Sequence, residues 1–318
     1  MRFGPIGDLL RWILDLIYSL VGNYGWSVLI FTLLIRLCLM PLDIKSRRSM
    51  KKMQLVQPRI DELNKKYAND KEKLQKKQQE LYQKEKINPL SGCLPMLIQL
   101  PILFAMFAVM REIADEETVA MILNIKENVE AGIANFKPQL QGLLWIKNVF
   151  QPDSFMSTVV PAAGDALVTI TRASGQMTTE MIDAAKAFLQ TDAYRTWADA
   201  YGNAIVYSAP LLMWTINIPK VFNGLFLLPI MSAVSQFFAS KFMNAGQQTS
   251  SEQQSSSNAV MKWFFPIFSL WICASSNAAF ALYWVFINFF QIIQQFIIGK
   301  IIDRSDAKKK LTEEAETK

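Results

Sequence analysis

Apolar and polar positions fall into long blocks along this chain, and the blocks predict helices of membrane length. Residues 24–42 include the string GWSVLIFTLLIRLCLMPL, whose one charge is Arg36, before Asp43 opens a strongly polar stretch. Residues 88–110 are largely apolar and carry no charge, with Pro95 and Pro101 predicting a kink. Three further blocks follow at 224–243, 260–275 and 278–302, the last two split by the small polar turn SSNAA. A helix of roughly 20 residues at about 1.5 Å per residue crosses a hydrocarbon core of about 30 Å. The expectation is therefore an all-α, polytopic membrane protein with five transmembrane helices. The fourth is the shortest, with only 12 apolar residues between Lys262 and Ser275, and needs flanking residues or a locally thinned bilayer to complete its crossing.

Between these blocks the polar segments have periods of their own. In 43–87, Met53, Val56, Ile60, Leu63 and Tyr67 alternate spacings of three and four, one stripe on a helix. Ala68, Asn69 and Asp70 offer a turn, and Leu74 and Leu81 continue a second helix, so the segment is predicted to fold as a basic helical hairpin. Residues 1–23 space Leu9, Ile13, Leu16 and Leu20 helically among Asp8, Arg11 and Asp15, which predicts an N-terminal amphipathic helix lying in the membrane interface. Residues 111–223 form a long loop whose part around 178–202 has helical period and whose stretch IVYSAPLLMWTINIP, 205–219, is apolar enough to be interfacial or packed on an outer face. A Ser/Gln-rich linker at 244–259 and a charged tail at 303–318 complete the chain.

Charge gives the blocks an orientation. Between Lys45 and Lys86 fourteen Lys/Arg stand against six Asp/Glu, whereas between Arg111 and Ala204 seven stand against twelve. Lys and Arg near span ends are retained on the cytoplasmic side, so the hairpin, the 244–259 linker and the tail are expected inside and the N-terminus outside. Composition agrees: 51% of residues are hydrophobic and 19% charged. There is no histidine, which removes Ser/His/Asp and Cys/His catalysis and histidine-based zinc sites. Cys38, Cys93 and Cys273 sit in or beside apolar runs, where a thiol behaves as a small hydrophobe, so no disulfide framework, metal or cofactor is expected.

Several strings resemble the YidC/Oxa1/Alb3 membrane protein insertases. NPLSGCLPMLIQLPILFAMF, 88–107, is similar to that family's second-span signature, and QPRIDELNKKY to its cytoplasmic hairpin. LLWIKNVFQPD, 143–153, FLLPIMSAVSQFF, 226–238, and ALYWVFINFFQIIQQ, 281–295, resemble its outer segment, third span and final span. Three features depart from the pattern. About seventy residues, 154–223, intervene where the family often passes directly to its third span; CASSNAA replaces a Pro, small residue, Gly turn; and the sequence carries neither a lipobox cysteine nor a large soluble domain. It matches neither the common lipoprotein form nor the Gram-negative form, and of the bacterial types stands beside the Gram-positive one.

The resemblance implies a non-enzymatic insertase and chaperone for nascent membrane proteins, working through a hydrophilic groove open to the cytoplasm and to lipid. Arg36 is the first candidate groove residue, because a charge within a span costs about 2.5–3.5 kcal/mol on insertion scales and must be solvated. Snorkelling to the cytoplasmic surface is the structural alternative. Gln99 and Gln236 are candidate groove partners, and Tyr283 and Trp284 are candidates for client contact or for simple interface marking. The implied partners are nascent clients, with ribosome, signal recognition particle or its receptor, Sec translocon and anionic lipids engaging the basic hairpin and tail. Two other classes compete. A secondary transporter or channel would use Arg36 to bind an anionic solute, but no internal repeat supports it. An intramembrane protease would need Ser232, Ser235 or Ser269 with a base, and only Lys241, near a span end, is at hand.

Overall fold

The computed structural model describes residues 4–88, 94–133, 136–171, 177–211, 214–244 and 252–316. Cys93, most of the NPLSGC string and residues 245–251 of the polar linker lie outside the described residues. The chain divides into two compact units, one of residues 1–32, 102–233 and 268–286, the other of 33–101, 234–267 and 287–318. The protein is mostly helical, and among the described residues three helices are long and apolar enough to cross a membrane.

In the first unit, α1 (Gly4–Val21) buries Leu10, Leu14 and Ile17 and leaves Leu9, Trp12, Leu16 and Leu20 exposed. The stripe of Leu9, Leu16 and Leu20, expected in the membrane interface, is exposed, and a second apolar side of the helix is buried in the unit. Arg11 explains its attachment: Nη2 donates to Glu116 at 2.8 Å and Nε to Asp15 at 2.8 Å. Glu116 lies on α4 (Leu94–Glu130), which runs about 20 residues beyond the expected span end at 110. The charges from Arg111 to Glu117 do not end the helix, since Arg11 pairs with part of them and Ile113, Val119, Ile122 and Ile125 bury on the same element.

That extension supports the segment that follows α4. Val119, Ile122 and Ile125 share a core with Ile170 of α5 (Ala163–Ile170), Phe188 and Leu189 of α6 (Thr179–Leu189), and Tyr194 and Trp197 of α7 (Asp192–Ala198). Tyr194 is fully buried and donates its hydroxyl to the Pro161 carbonyl at 2.7 Å, and burial pushes its pKa above the ordinary value. A π-helical turn (Asp199–Asn203) leads into an antiparallel pair, β1 (Ile205–Leu211) and β2 (Trp214–Pro219). The all-α expectation is corrected here: Ile, Val, Tyr and Thr without a charged residue favour a strand pair over a helix.

Asp153 closes this unit. It is 1% exposed and accepts from the Trp145 indole at 3.1 Å and from the backbone N–H of Leu225 at 2.8 Å and Leu228 at 2.6 Å, capping the start of α8 (Leu227–Asn244). Asn223 donates to the carbonyls of Asn148 and Pro152, both at 2.9 Å. The N–H groups of Ala278 and Ala279, which open α10 (Ala278–Glu316), bond to the carbonyls of Gln151 and Val149. Ser232 on α8 donates to the Ser269 carbonyl of α9 (Glu252–Ser275) at 3.1 Å.

The second unit holds the hairpin. α2 (Tyr24–Lys66) runs without interruption through Pro41 and Pro58, so the expected boundary at 42 is a change of surface, not of helix. α3 (Lys71–Lys84) is capped by Asp70, which accepts from the Lys73 N–H at 3.0 Å. Val56, Ile60 and Ile87 bury together with Met53, Leu81 and Tyr82; Met53, Val56, Ile60 and Leu81 are positions of the spaced apolar stripe, and Tyr82 and Ile87 are additions to it.

Candidate functional site

Arg36 lies within the apolar part of α2 and is 7% exposed. Its Nη2 donates to Oε1 of Gln291 on α10 at 2.9 Å. A neutral amide acceptor orients the guanidinium without itself cancelling the charge. Two turns further along the same face of α2, Asp43 accepts from Nε2 of Gln294 at 2.9 Å. Asn288, one turn before Gln291, donates to Ser235 of α8 at 3.3 Å. Gln295 buries an Oε1 that has no hydrogen-bond partner among the described residues.

α10 therefore carries a polar row, Asn288, Gln291, Gln294 and Gln295, at helical spacing on an otherwise apolar helix. A buried amide costs free energy unless its hydrogen bonds are met, and a row of them facing Arg36 and Asp43 makes one polar seam in this unit. Sequence reasoning took this helix as a motif and passed over the row. The signal was present, since amides three and four apart in FINFFQIIQQFII fall on one helical face.

The other expected residues are placed differently. Gln99 and Gln236 are half-buried on α4 and α8, and Ser235, beside Gln236, bonds to the α10 row. Tyr283 is fully buried and Trp284 is 6% exposed, packed near Phe280 and Phe268 with centroid separations of 5.8 and 6.4 Å. In this structure both aromatics are core of the first unit, not surface. Cys273 is buried as expected, whereas Cys38 is exposed.

A cavity of about 840 Å³ opens in the first unit. It is lined by Phe107, Arg111 and Asp115 of α4, by Asp165, Arg195 and Asn203 of the segment between α4 and α8, and by Ser275 to Asn277 where α9 ends and leads to α10. Mixed charges and amides suit it to polar groups. Among the described residues no cluster of acids and cysteines could hold a metal ion.

Comparison with known proteins adds the following. The family model described as 60Kd inner membrane protein matches residues 16–306. The membrane protein insertase YidC of Francisella tularensis subsp. novicida (strain U112) is 50% identical over 105 residues, covering 33% of this chain and 19% of that protein. The proteins of the same name from F. tularensis subsp. holarctica (strain LVS) and subsp. tularensis (strain SCHU S4 / Schu 4) give the same figures. The matched segment thus spans about a fifth of the length of these curated relatives. A crystal structure of an active YidC insertase with its first transmembrane domain resolved aligns over 92% of this chain and 46% of that one, at 18% identity and a TM-score of 0.44.

Proposed function

The chain belongs to the 60Kd inner membrane protein family, and from that premise we propose that it is a membrane protein insertase whose polar seam receives the hydrophilic end of a client. Six residues share the reading. Arg36 supplies electrostatic attraction for an acidic or polar N-terminal segment, and Gln291 holds its guanidinium in place. Asp43 and Gln294 continue the polar path two turns along. Gln99 and Gln236 contribute hydrogen bonds from the flanking helices. Such a path shortens the apolar barrier for the client's polar end while its own apolar span partitions into lipid, so no covalent step is invoked.

The observation that carries this reading is the burial of Arg36 against a neutral amide row in a helix of membrane length. A snorkelling arginine would keep its head in water and stand apart from such a row. The buried, unpartnered Oε1 of Gln295 further favours a seam that takes in water or a polar client segment.

The finer topology belongs to the same proposal. α8 and the apolar stretch Trp263–Ser275 of α9 complete five crossings, with α1 in the outer interface and the α2–α3 hairpin, the linker and the tail in the cytoplasm. The basic hairpin then presents its charge to ribosome, targeting factor or Sec translocon, or to anionic lipid.

The test is insertion into vesicles of two clients that differ only in an acidic or an uncharged N-terminal tail. Arg36→Ala should lower insertion of the acidic client by about tenfold, which corresponds to about 1.4 kcal/mol, and spare the other. Arg36→Lys should be milder. Equal insertion of both clients by wild type and Arg36→Ala would remove this residue from the mechanism, and flux of a labelled anionic solute through the vesicles would favour the transporter.

A further inference from the structure

The strand pair at 205–219 has two chemically different faces. In its register Tyr207 stands opposite Ile218, Ala209 opposite Ile216, and between them Ser208 stands opposite Asn217 and Pro210 opposite Thr215. Opposed residues of an antiparallel pair share a face and successive pairs alternate. One face therefore carries Tyr207, Ala209, Ile216 and Ile218. The other carries Ser208, Pro210, Thr215 and Asn217, with the Ser208 hydroxyl donating to the Asn217 side chain at 2.8 Å. The backbone register continues to Leu211 opposite Trp214, and by sequence the connection adds Leu212 and Met213.

The pair leaves apolar side chains open: Ile205, Val206 and Tyr207 are 58%, 65% and 56% exposed, while Ala209, Ile216 and Ile218 are half-buried, and no third strand joins the pair among the described residues. A lone two-stranded pair is marginal in water and needs a surface for its apolar face. From Ile205 to Pro219 no residue carries a charge at neutral pH, and Lys220 follows directly. That distribution fits the boundary of a bilayer, where Tyr and Trp concentrate and Lys reaches for headgroups.

Position selects the occupant. The roots of the pair, Ile205 and Pro219, line the same cavity as Phe107 and Arg111 of α4 and Ser275 to Asn277 before α10. The pair therefore springs from the level at which the apolar parts of two candidate spans meet their polar ends. On the same unit Phe104 and Trp271 are 50% and 63% exposed, so other large apolar side chains of this unit are open as well.

We propose that this strand pair is a membrane-interface anchor whose Tyr207, Ala209, Ile216, Ile218 face lies on the adjoining leaflet. The anchor holds the outer helices α5 to α7 against the bilayer beside the cavity. It rests on the membrane-spanning reading and not on the insertase one, so the client assay and this test fail separately.

The experiment uses the full chain, with Cys38, Cys93 and Cys273 replaced by alanine, in vesicles of phosphatidylglycerol and phosphatidylcholine brominated on the acyl chain. A small fluorophore is attached at Tyr207→Cys or Ile216→Cys for one face and at Ser208→Cys or Thr215→Cys for the other. All four side chains are exposed or half-exposed, so the substitutions remove little packing; Ile218→Cys and Asn217→Cys stand in for any variant that fails to elute as a single folded species. Quenching should be at least about twofold stronger on the Tyr207 and Ile216 face. Equal quenching of both faces, or none on either, would overturn the anchor. So would self-quenching between labels at 207 without lipid quenching, which would assign the face to a second copy of the chain.

Discussion

At the scale of single residues, Arg36 was legible because a lone charge in an apolar run demands an explanation from sequence alone. Its partner was not, because Gln291 becomes a partner only when two helices 255 positions apart are brought side by side. Replacing Gln291 by leucine removes a neutral acceptor from a buried cation, a loss of about 1.5–3 kcal/mol for a hydrogen bond to a charged group. Gln291→Leu should therefore lower insertion of an acidic-tailed client, by less than Arg36→Ala does. Undiminished insertion would leave Gln291 as packing only. Tyr283 and Trp284 show the opposite error: hydropathy places aromatics at an interface, but their burial follows from neighbours that hydropathy does not see. Asp153, within the QPD string, was quoted as motif without a role, and the structure gives it three donors. Asp153→Ala would orphan those donors and should cost about 2–4 kcal/mol, read as a lowered unfolding temperature in detergent. Asp153→Asn should recover part of the loss.

At the scale of elements, helices with an unbroken apolar period were readable, and their ends were not. α4 continues through Arg111–Glu117 because Arg11, a hundred residues earlier, pairs with Glu116, and no local pattern encodes that pairing. Glu116 has a side chain 7% exposed, so removing Arg11 strands a buried carboxylate. Arg11→Ala should destabilise the first unit by about 2–4 kcal/mol, somewhat under the full cost of breaking a buried pair because Arg11 is itself partly exposed. The check is thermal unfolding of the detergent-solubilised chain together with protease access to α1, and an unchanged midpoint would mean the α1–α4 contact is held by Leu10, Leu14 and Ile17 alone. In the hairpin, the apolar stripe of α2 was legible because Met53, Val56 and Ile60 follow a local spacing, whereas Tyr82 and Ile87, which bury with them, were not on it. There, Asp70→Ala should cost about 1 kcal/mol and speed amide exchange in Lys71–Lys84 without moving the first unit. The strand pair was missed for a different reason: scored as hydropathy, 205–219 is merely apolar, and its two faces emerge only from the register.

At the scale of the whole molecule, charge bias was the most robust sequence signal, since it sums over loops and does not depend on where any helix ends. Fourteen basic against six acidic residues between Lys45 and Lys86, and seven against twelve between Arg111 and Ala204, favour opposite sides of the membrane for the hairpin and the outer helices. The groove proposal depends on that orientation, because Arg36 can attract a client tail delivered from the cytoplasm only if the Asp43 end of its seam opens on that side. Single cysteines at Gln78 on α3 and at Asp183 on α6, in a cysteine-free chain in sealed cells, test it with a membrane-impermeant maleimide. Position 183 should label from outside and position 78 only after the membrane is opened. Labelling of both from one side would place hairpin and outer helices together, and the seam would then have to be read as a route from the other face. With the expected pattern, a cysteine at position 36 that labels only in opened membranes, in step with 78, would show that water reaches the buried end of the seam from the cytoplasm; protection of 36 from both sides would mean that Gln291 and its neighbours seal the arginine, and that the row on α10 is structural.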